Sequence, residues 1–171
     1  METFENRLNK LLIETFRDIL KVEELILQKS DPNLSIGEVH LIESVRNGEN
    51  RSRTVSEIAS DLRIAVPSAT IAVNKLVKKG YLIKEKSSED GRSVHILLTH
   101  EGEVIYRLHS YFHLKLVRAA AEDMTKEEKD ALLIGVRNLD DFFKKKVAKY
   151  GGINEFSNHR NRKSTSRTRI N

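Results

Sequence analysis

The chain of 171 residues contains no cysteine. A disulfide framework, a thiolate metal site and a cysteine redox centre are excluded with it. No apolar run approaches the roughly 20 residues that a helix needs to cross a bilayer. The first residues, Met1-Glu2-Thr3-Phe4-Glu5, offer neither a basic start nor an apolar stretch. They do not read as a secretory leader, and a cytoplasmic protein is the simplest expectation. Catalytic signatures are missing too: there is no phosphate-binding glycine loop, no nucleophile elbow and no HExxH. Asp140 and Asp141 are adjacent carboxylates in a helical pattern, so they point in different directions. An enzyme is not expected, nor a cofactor unless the metal alternative below holds.

Hydrophobic residues make up 39% of the chain and charged residues 32%. That suits one domain with a packed helical core, or one domain with a tail. The net charge of +5 is unevenly placed. From Gly151 to Asn171, Arg160, Arg162, Lys163, Arg167 and Arg169 stand against Glu155, giving +4 and leaving about +1 for residues 1–150. Bulk charge therefore does not make the folded body a nucleic-acid binder. The case rests on where Lys75, Lys78, Lys79, Lys84, Lys86 and Arg92 sit. Residues 151–171 read as a basic, disordered tail that adds sequence-independent DNA affinity, contacts an acidic protein, or only aids solubility.

The informative stretch runs from Thr54 to Gly102. Thr54-Val55-Ser56-Glu57 is a capping box, and Val55, Ile58, Ala59 and Leu62 follow at helical spacing. Arg63-Ile64-Ala65 is short enough for the turn of a helix-turn-helix. A second helix starts near Val66, with Pro67 in its first turn and no good cap residue before it. Ala69, Ala72, Val73, Leu76 and Val77 form its buried stripe, leaving Ser68, Thr70, Ile71, Asn74, Lys75 and Lys78 outside. Hydroxyls early and amide or ammonium groups later suit a helix that enters a major groove and holds phosphates. Lys78-Lys79-Gly80 ends it. Residues 81–86 and 93–98 read as two strands around a polar tip, 87–92. Arg92 at that tip suits a minor groove, with Asp90 fixing its direction; a solvated hairpin with a chance ion pair is the plain alternative. Together these pieces are the layout of a winged helix-turn-helix.

Around this unit the chain is helical. A first helix spans about Glu2 to Lys29, with an apolar face too wide for one small core to cover. Asp31-Pro32-Asn33 breaks it, and the capping box Ser35-Ile36-Gly37-Glu38 opens a second helix that ends at Asn47-Gly48-Glu49-Asn50. Arg51 and Arg53 follow, as solvated loop arginines or as phosphate contacts. After the wing, Thr99 caps a helix running to about Ala121, and Thr125-Lys126-Glu127-Glu128 is a third capping box that opens a last helix before Gly151-Gly152.

Asp90-x-Arg92, then Leu98-Thr99-x-x-Gly102, after a helix ending Lys79-Gly80-Tyr81, resembles the MarR family of dimeric bacterial transcription regulators over about residues 4 to 148. The resemblance implies a mainly α fold with a small β-wing: six helices plus a β-hairpin in an intertwined homodimer. It divides the chain into a dimerisation helix at 1–34, the winged helix-turn-helix at 35–100, dimerisation helices at 101–150 and the tail. It implies a cytoplasmic regulator, associated with the nucleoid when bound to a pseudo-palindromic operator. Two recognition helices would then sit roughly 34–36 Å apart in successive major grooves. Ser68, Thr70 and Asn74 are expected at base edges or nearby phosphates, Lys75 and Lys78 on the backbone, and Arg92, steered by Asp90, in the minor groove.

The histidines carry the regulatory question. His109 and His113 fall at i and i+4, His40 lies early in the second helix, and Glu23 and Glu24 lie late in the first. Glu24, His40, His109 and His113 resemble the ligand set of the family's zinc-sensing streptococcal branch, and would suit tetrahedral zinc. Glu23-Glu24, Ser35-Ile36-x-Glu38-x-His40, Gly80-Tyr81, Val94-His95-x-x-Leu98-Thr99 and the His109–His113 pair are similar to the branch that represses fatty-acid biosynthesis. That likeness implies an acyl ligand on acyl carrier protein as co-repressor, and no metal. Leu20, Glu24, Ile36, His40, Leu108, His109, Phe112 and His113 are the expected ligand-binding residues. Plain helix packing by hydrogen-bonded histidines is the third reading, and a ligand-independent architectural dimer remains the alternative of another class.

Overall fold

The computed structural model describes residues 2–86 and 93–151. Among these, α1 covers Phe4–Ser30, α2 Ile36–Arg46, α3 Val55–Leu62, α4 Val66–Lys78, α5 His100–Ala120 and α6 Lys126–Gly151. The strands are β1 at Ser52–Arg53, β2 at Leu82–Lys86 and β3 at Val94–Leu98. The helical starts follow the local chemistry expected of them. Ser35 and Thr54 each accept from the backbone N–H three residues on, while Glu38 and Glu57 reach back to the cap N–H. Thr125 and Glu128 make the same reciprocal pair ahead of α6. No helix of the described residues is long and apolar enough to cross a membrane.

The sheet is antiparallel in the order β1-β3-β2, with Lys84 opposite Ile96 and Arg53 opposite Ile96 on the other edge. The hairpin is therefore not alone, because a third strand precedes α3. Arg53 is accordingly not a free loop arginine; it lies in β1, and its guanidinium meets Asp61 at 3.0 Å. A strand of two residues carries no periodic signal, and its pairing is with a segment over forty positions away, so local reading cannot find it.

The core lies in this head. Val39, Leu41, Ile42 and Val45 of α2 pack with Ile58 of α3, Ala69, Val73 and Leu76 of α4, Leu82 of β2 and Ile96 of β3. The head is closed by the junction of α4, β3 and α5. Gly80 takes a positive φ of 83°, which lets α4 end and Tyr81 turn into the sheet. Thr99 then donates its hydroxyl to the Gly80 carbonyl at 2.7 Å and its backbone N–H to the Tyr81 carbonyl at 3.1 Å. A Cβ on Gly102 would overlap that same Tyr81 carbonyl. Leu-Thr-x-x-Gly is thus a docking device that lays the first turn of α5 against the end of the recognition unit.

Contacts divide the chain into two compact units, with the boundary between Leu116 and Val117. In the first, α1 leaves Phe4, Leu11, Phe16 and Leu20 exposed. In the second, α6 leaves Leu132, Leu133, Val136, Phe142 and Phe143 exposed.

Candidate nucleic-acid interface and effector cavity

Two regions of the first unit hold the side chains of a candidate site. The first is the outer face of α4. Ala69, Val73 and Leu76 lock the helix to the core, so rotation is fixed and the opposite face is presented as a unit. Ser68, Ile71, Asn74, Lys75 and Lys78 are exposed there. Thr70 is half-buried, and its hydroxyl donates back to the Val66 carbonyl at 2.9 Å, leaving only its lone pairs for a partner. Lys84 on β2 donates to the Asn74 side-chain carbonyl at 2.6 Å, tying wing to helix and turning the amide N–H groups free. Asp90 and Arg92 lie outside the described residues.

Lys75, expected on phosphate, has an ion-pair partner in the folded chain. Its ammonium is 3.1 Å from Glu38, which also receives Lys79 at 2.8 Å. Burial pushes the Glu38 carboxyl upward, but hydrogen bonds from Lys79, the Ser35 backbone and Lys75 outweigh it and hold it at about 2. Lys79 donates in addition to the Asn33 carbonyl. Tyr81 donates its hydroxyl to Asp31, and that bond, with burial, lifts the phenol to about 12. The C-terminal end of α4 is therefore pinned to the start of α2 and to the turn after α1. Sequence reading saw Glu38 only as a cap residue.

The second region is a cavity of about 260 Å³ among α1, α2 and α5. Ile26, Leu27, Ile36, Val39, Ile105, Leu108, Tyr111 and Phe112 line it, with Glu23, Ser30, His109 and Lys115 as its polar groups. Of the residues expected to bind a ligand, Ile36, Leu108, His109 and Phe112 line this cavity. Leu20 and Glu24 are not: they line a separate, more open depression with Pro32, Leu34 and Ser35. Glu24 holds Lys21 at 2.8 Å on the exposed side of α1. At helical spacing Glu23 falls within the apolar face of α1, between the phases of Leu12 and Phe16, while Glu24 shares the polar face with Arg17, Lys21 and Gln28, so the phase that selects Glu23 was present in the spacing.

Glu23 is 5% exposed and sits at the centre of the histidines. Its Oε1 lies 3.0 Å from His113 Nε2, and its Oε2 lies 3.9 Å from His40 Nε2. His113 Nε2 is also 3.1 Å from His109 Nε2. His113 Nε2 carries at most one proton, so it can donate to Glu23 or to His109 but not to both; the other ring nitrogen of His109 is Nδ1. That Nδ1 has no hydrogen-bond partner among the described residues, and neither does Glu23 Oε2. Glu43 stands 3.7 Å from the former, beyond a hydrogen bond. Burial, together with the neighbouring His113 and His40 and against the pull of Glu23, lowers His109 to about 4. His109 is consequently neutral at physiological pH. Donor atoms of Glu23, His40 and His109 lie within 4.8 Å of one another, a mixed nitrogen and oxygen set.

The comparisons agree with this architecture. The family model described as MarR family matches residues 34–94. The structure of FabT from Streptococcus pneumoniae in complex with DNA superposes with a TM-score of 0.78 and 32% identity, covering 82% of this chain and 98% of that one. A MarR protein from Peptoclostridium difficile has a TM-score of 0.69 at 18% identity, over 88% of this chain and 95% of that one, and shows the fold alone. Among curated proteins, the uncharacterized HTH-type transcriptional regulator YfiV of Bacillus subtilis is 36% identical over 86 residues, half of this chain and 53% of that one. The chain thus spans about half the length of the curated relatives it matches.

Proposed function

The chain belongs to the MarR family, and from that premise we propose that it is a homodimeric, sequence-specific DNA-binding repressor rather than an enzyme. The observation that carries the reading is the outer face of α4: one side is buried in the head core, and the other offers Ser68, Asn74 and Lys78 beside a wing strand that grips Asn74 through Lys84. Phosphate contacts from Lys78 position the helix and Arg92 enters the minor groove; Ser68 and Asn74 read base edges, with Thr70 limited to accepting. The exposed apolar residues of α1 and of α6 are the surface that a second copy covers.

The regulated genes are those of fatty-acid biosynthesis, and the effector is a long acyl chain delivered by acyl carrier protein. Support comes from the resemblance described above and from a half-open, mostly apolar cavity among α1, α2 and α5. A chain bound there acts by population shift, favouring whichever spacing of the two heads it fits better. Gel-shift titration tests this: long-chain acyl carrier protein should tighten operator binding, and the unacylated carrier should not. Equal curves would remove the acyl reading and leave the DNA reading standing.

One observation favours a second reading. Glu23 Oε2 and His109 Nδ1 are buried polar atoms without partners, and a divalent cation of the zinc class fits the donor set of Glu23, His40 and His109, with His113 alongside. Glu23 takes the place expected of Glu24. When bound, the ion would supply charge that holds these donors from α1, α2 and α5 together. The same gel shift with zinc in place of the carrier separates the readings: a zinc response abolished in Glu23→Gln, with none to acylated carrier, selects the metal.

A further inference from the structure

We infer that Ile71 is a specificity-determining residue that reads the 5-methyl group of a thymine in the major groove, an inference that rests on the DNA reading of α4. Ile71 is 70% exposed, the most open large hydrophobic of the head. A lone exposed isoleucine is ordinary on a protein surface, so position has to decide. Ile71 stands at the middle of the recognition face, one turn from Ser68 behind and Asn74 ahead. Of its neighbours on that face, Ser68, Asn74 and Lys75 are polar or charged and Pro67 alone is apolar, so the two do not make an apolar patch of the size that a protein partner would cover. Nor does it serve the helix, since a β-branched residue forms helix less readily than the straight-chain residues that fill such positions elsewhere.

The same branching makes it a good probe. In a helix the side chain is held near one χ1 value, so its methyls are presented with little freedom to lose. The apolar feature of the major groove is the thymine methyl, which cytosine and the purines lack. The setting agrees: Asn74 has its carbonyl taken by Lys84 and turns N–H donors to the groove, matching acceptors such as thymine O4 or a purine N7. Helix and wing together thus offer a donor and an apolar tip one turn apart.

The test is a uracil scan. A duplex of about 30 base pairs is selected from a random pool on the full chain, and each thymine of the half-sites is replaced in turn by deoxyuridine, which removes the methyl and keeps the pairing. At one thymine per half-site the replacement should weaken binding about fourfold, the worth of one buried methyl group. Ile71→Ala should bind the thymine duplex more weakly and lose the distinction between thymine and uracil at that position alone; Ile71→Val should keep it. Because Ile71 makes no core contact, its variants should fold as the parent does, which their thermal midpoints check. A selected site with no invariant thymine, or a uracil penalty unchanged in Ile71→Ala, would overturn the inference while selective DNA binding stands. If no sequence is enriched at all, the DNA reading fails and takes this inference with it.

Discussion

Glu38 performs two tasks with one carboxylate. It completes the capping box of α2 by accepting from the Ser35 backbone at 2.8 Å, and it receives the Lys79 ammonium at 2.8 and 2.9 Å. Glu38 is 6% exposed and Lys79 half-buried, so removing the lysine would strand a carboxylate withdrawn from solvent. The carboxyl titrates near 2 in the folded chain and near 4.5 ordinarily, so on acidification the unfolded chain takes up the proton first. Its contribution is whole above about pH 4.5 and is lost as pH falls through 2. The difference corresponds to on the order of 3 kcal/mol at neutral pH. Glu38→Gln should lower the unfolding free energy from urea titration at pH 7 by that order, and between pH 7 and pH 3 the variant should lose less stability than the parent. Equal losses in both would show that the carboxylate is not the group involved. The capping half of this arrangement was legible because Ser35 and Glu38 are three residues apart; the Lys79 half joins positions 41 apart, and nothing local announces it. Glu23 shows the same limit, since its acidity was visible but its partners, on α2 and α5, were not.

At the scale of elements, the legible parts were those whose cause is short-ranged. The three capping boxes, the break at Pro32 and the α3-turn-α4 spacing all lie within one or two turns of chain, and the helices begin where those signals put them. β1 was not legible, and the Leu-Thr-x-x-Gly motif was visible as a pattern without its mechanism. The structure supplies that mechanism: the first turn of α5 must approach Tyr81 more closely than any Cβ allows. Gly102→Ala separates the possible effects by sign. In an open helix position the change would stabilise by about 1 kcal/mol, because alanine loses less freedom than glycine. Here the overlap with a backbone carbonyl forces α5 to shift, at a cost of about 1–3 kcal/mol. A fall in the thermal midpoint, accompanied by weaker DNA binding as the α4 end loses its anchor, is the expected result; a rise would mean that α5 does not dock closely on Tyr81.

For the whole molecule, the number of copies decides what the reading head can achieve. A single head offers one short helix and one wing to DNA, and two heads joined by symmetry add their contacts on one duplex. In the proposed dimer the joining surface comes from the apolar side chains that a lone copy leaves in water, among them Phe16 and Leu20, one turn apart on α1. Phe16 is 59% exposed, and covering it is worth about 2 kcal/mol per copy. In a two-fold interface every substitution acts twice, so Phe16→Glu should raise the dimer dissociation constant roughly a thousandfold. The head core does not include Phe16, so helical content should persist in the variant. Sedimentation velocity should then find a monomer at micromolar concentration, and a duplex carrying two half-sites should bind no better than one carrying a single half-site. A variant that stays dimeric would place the interface away from this part of α1. A monomeric variant that still favours the double site would break the link between pairing and operator length, because the second head would be contributing without being held in register.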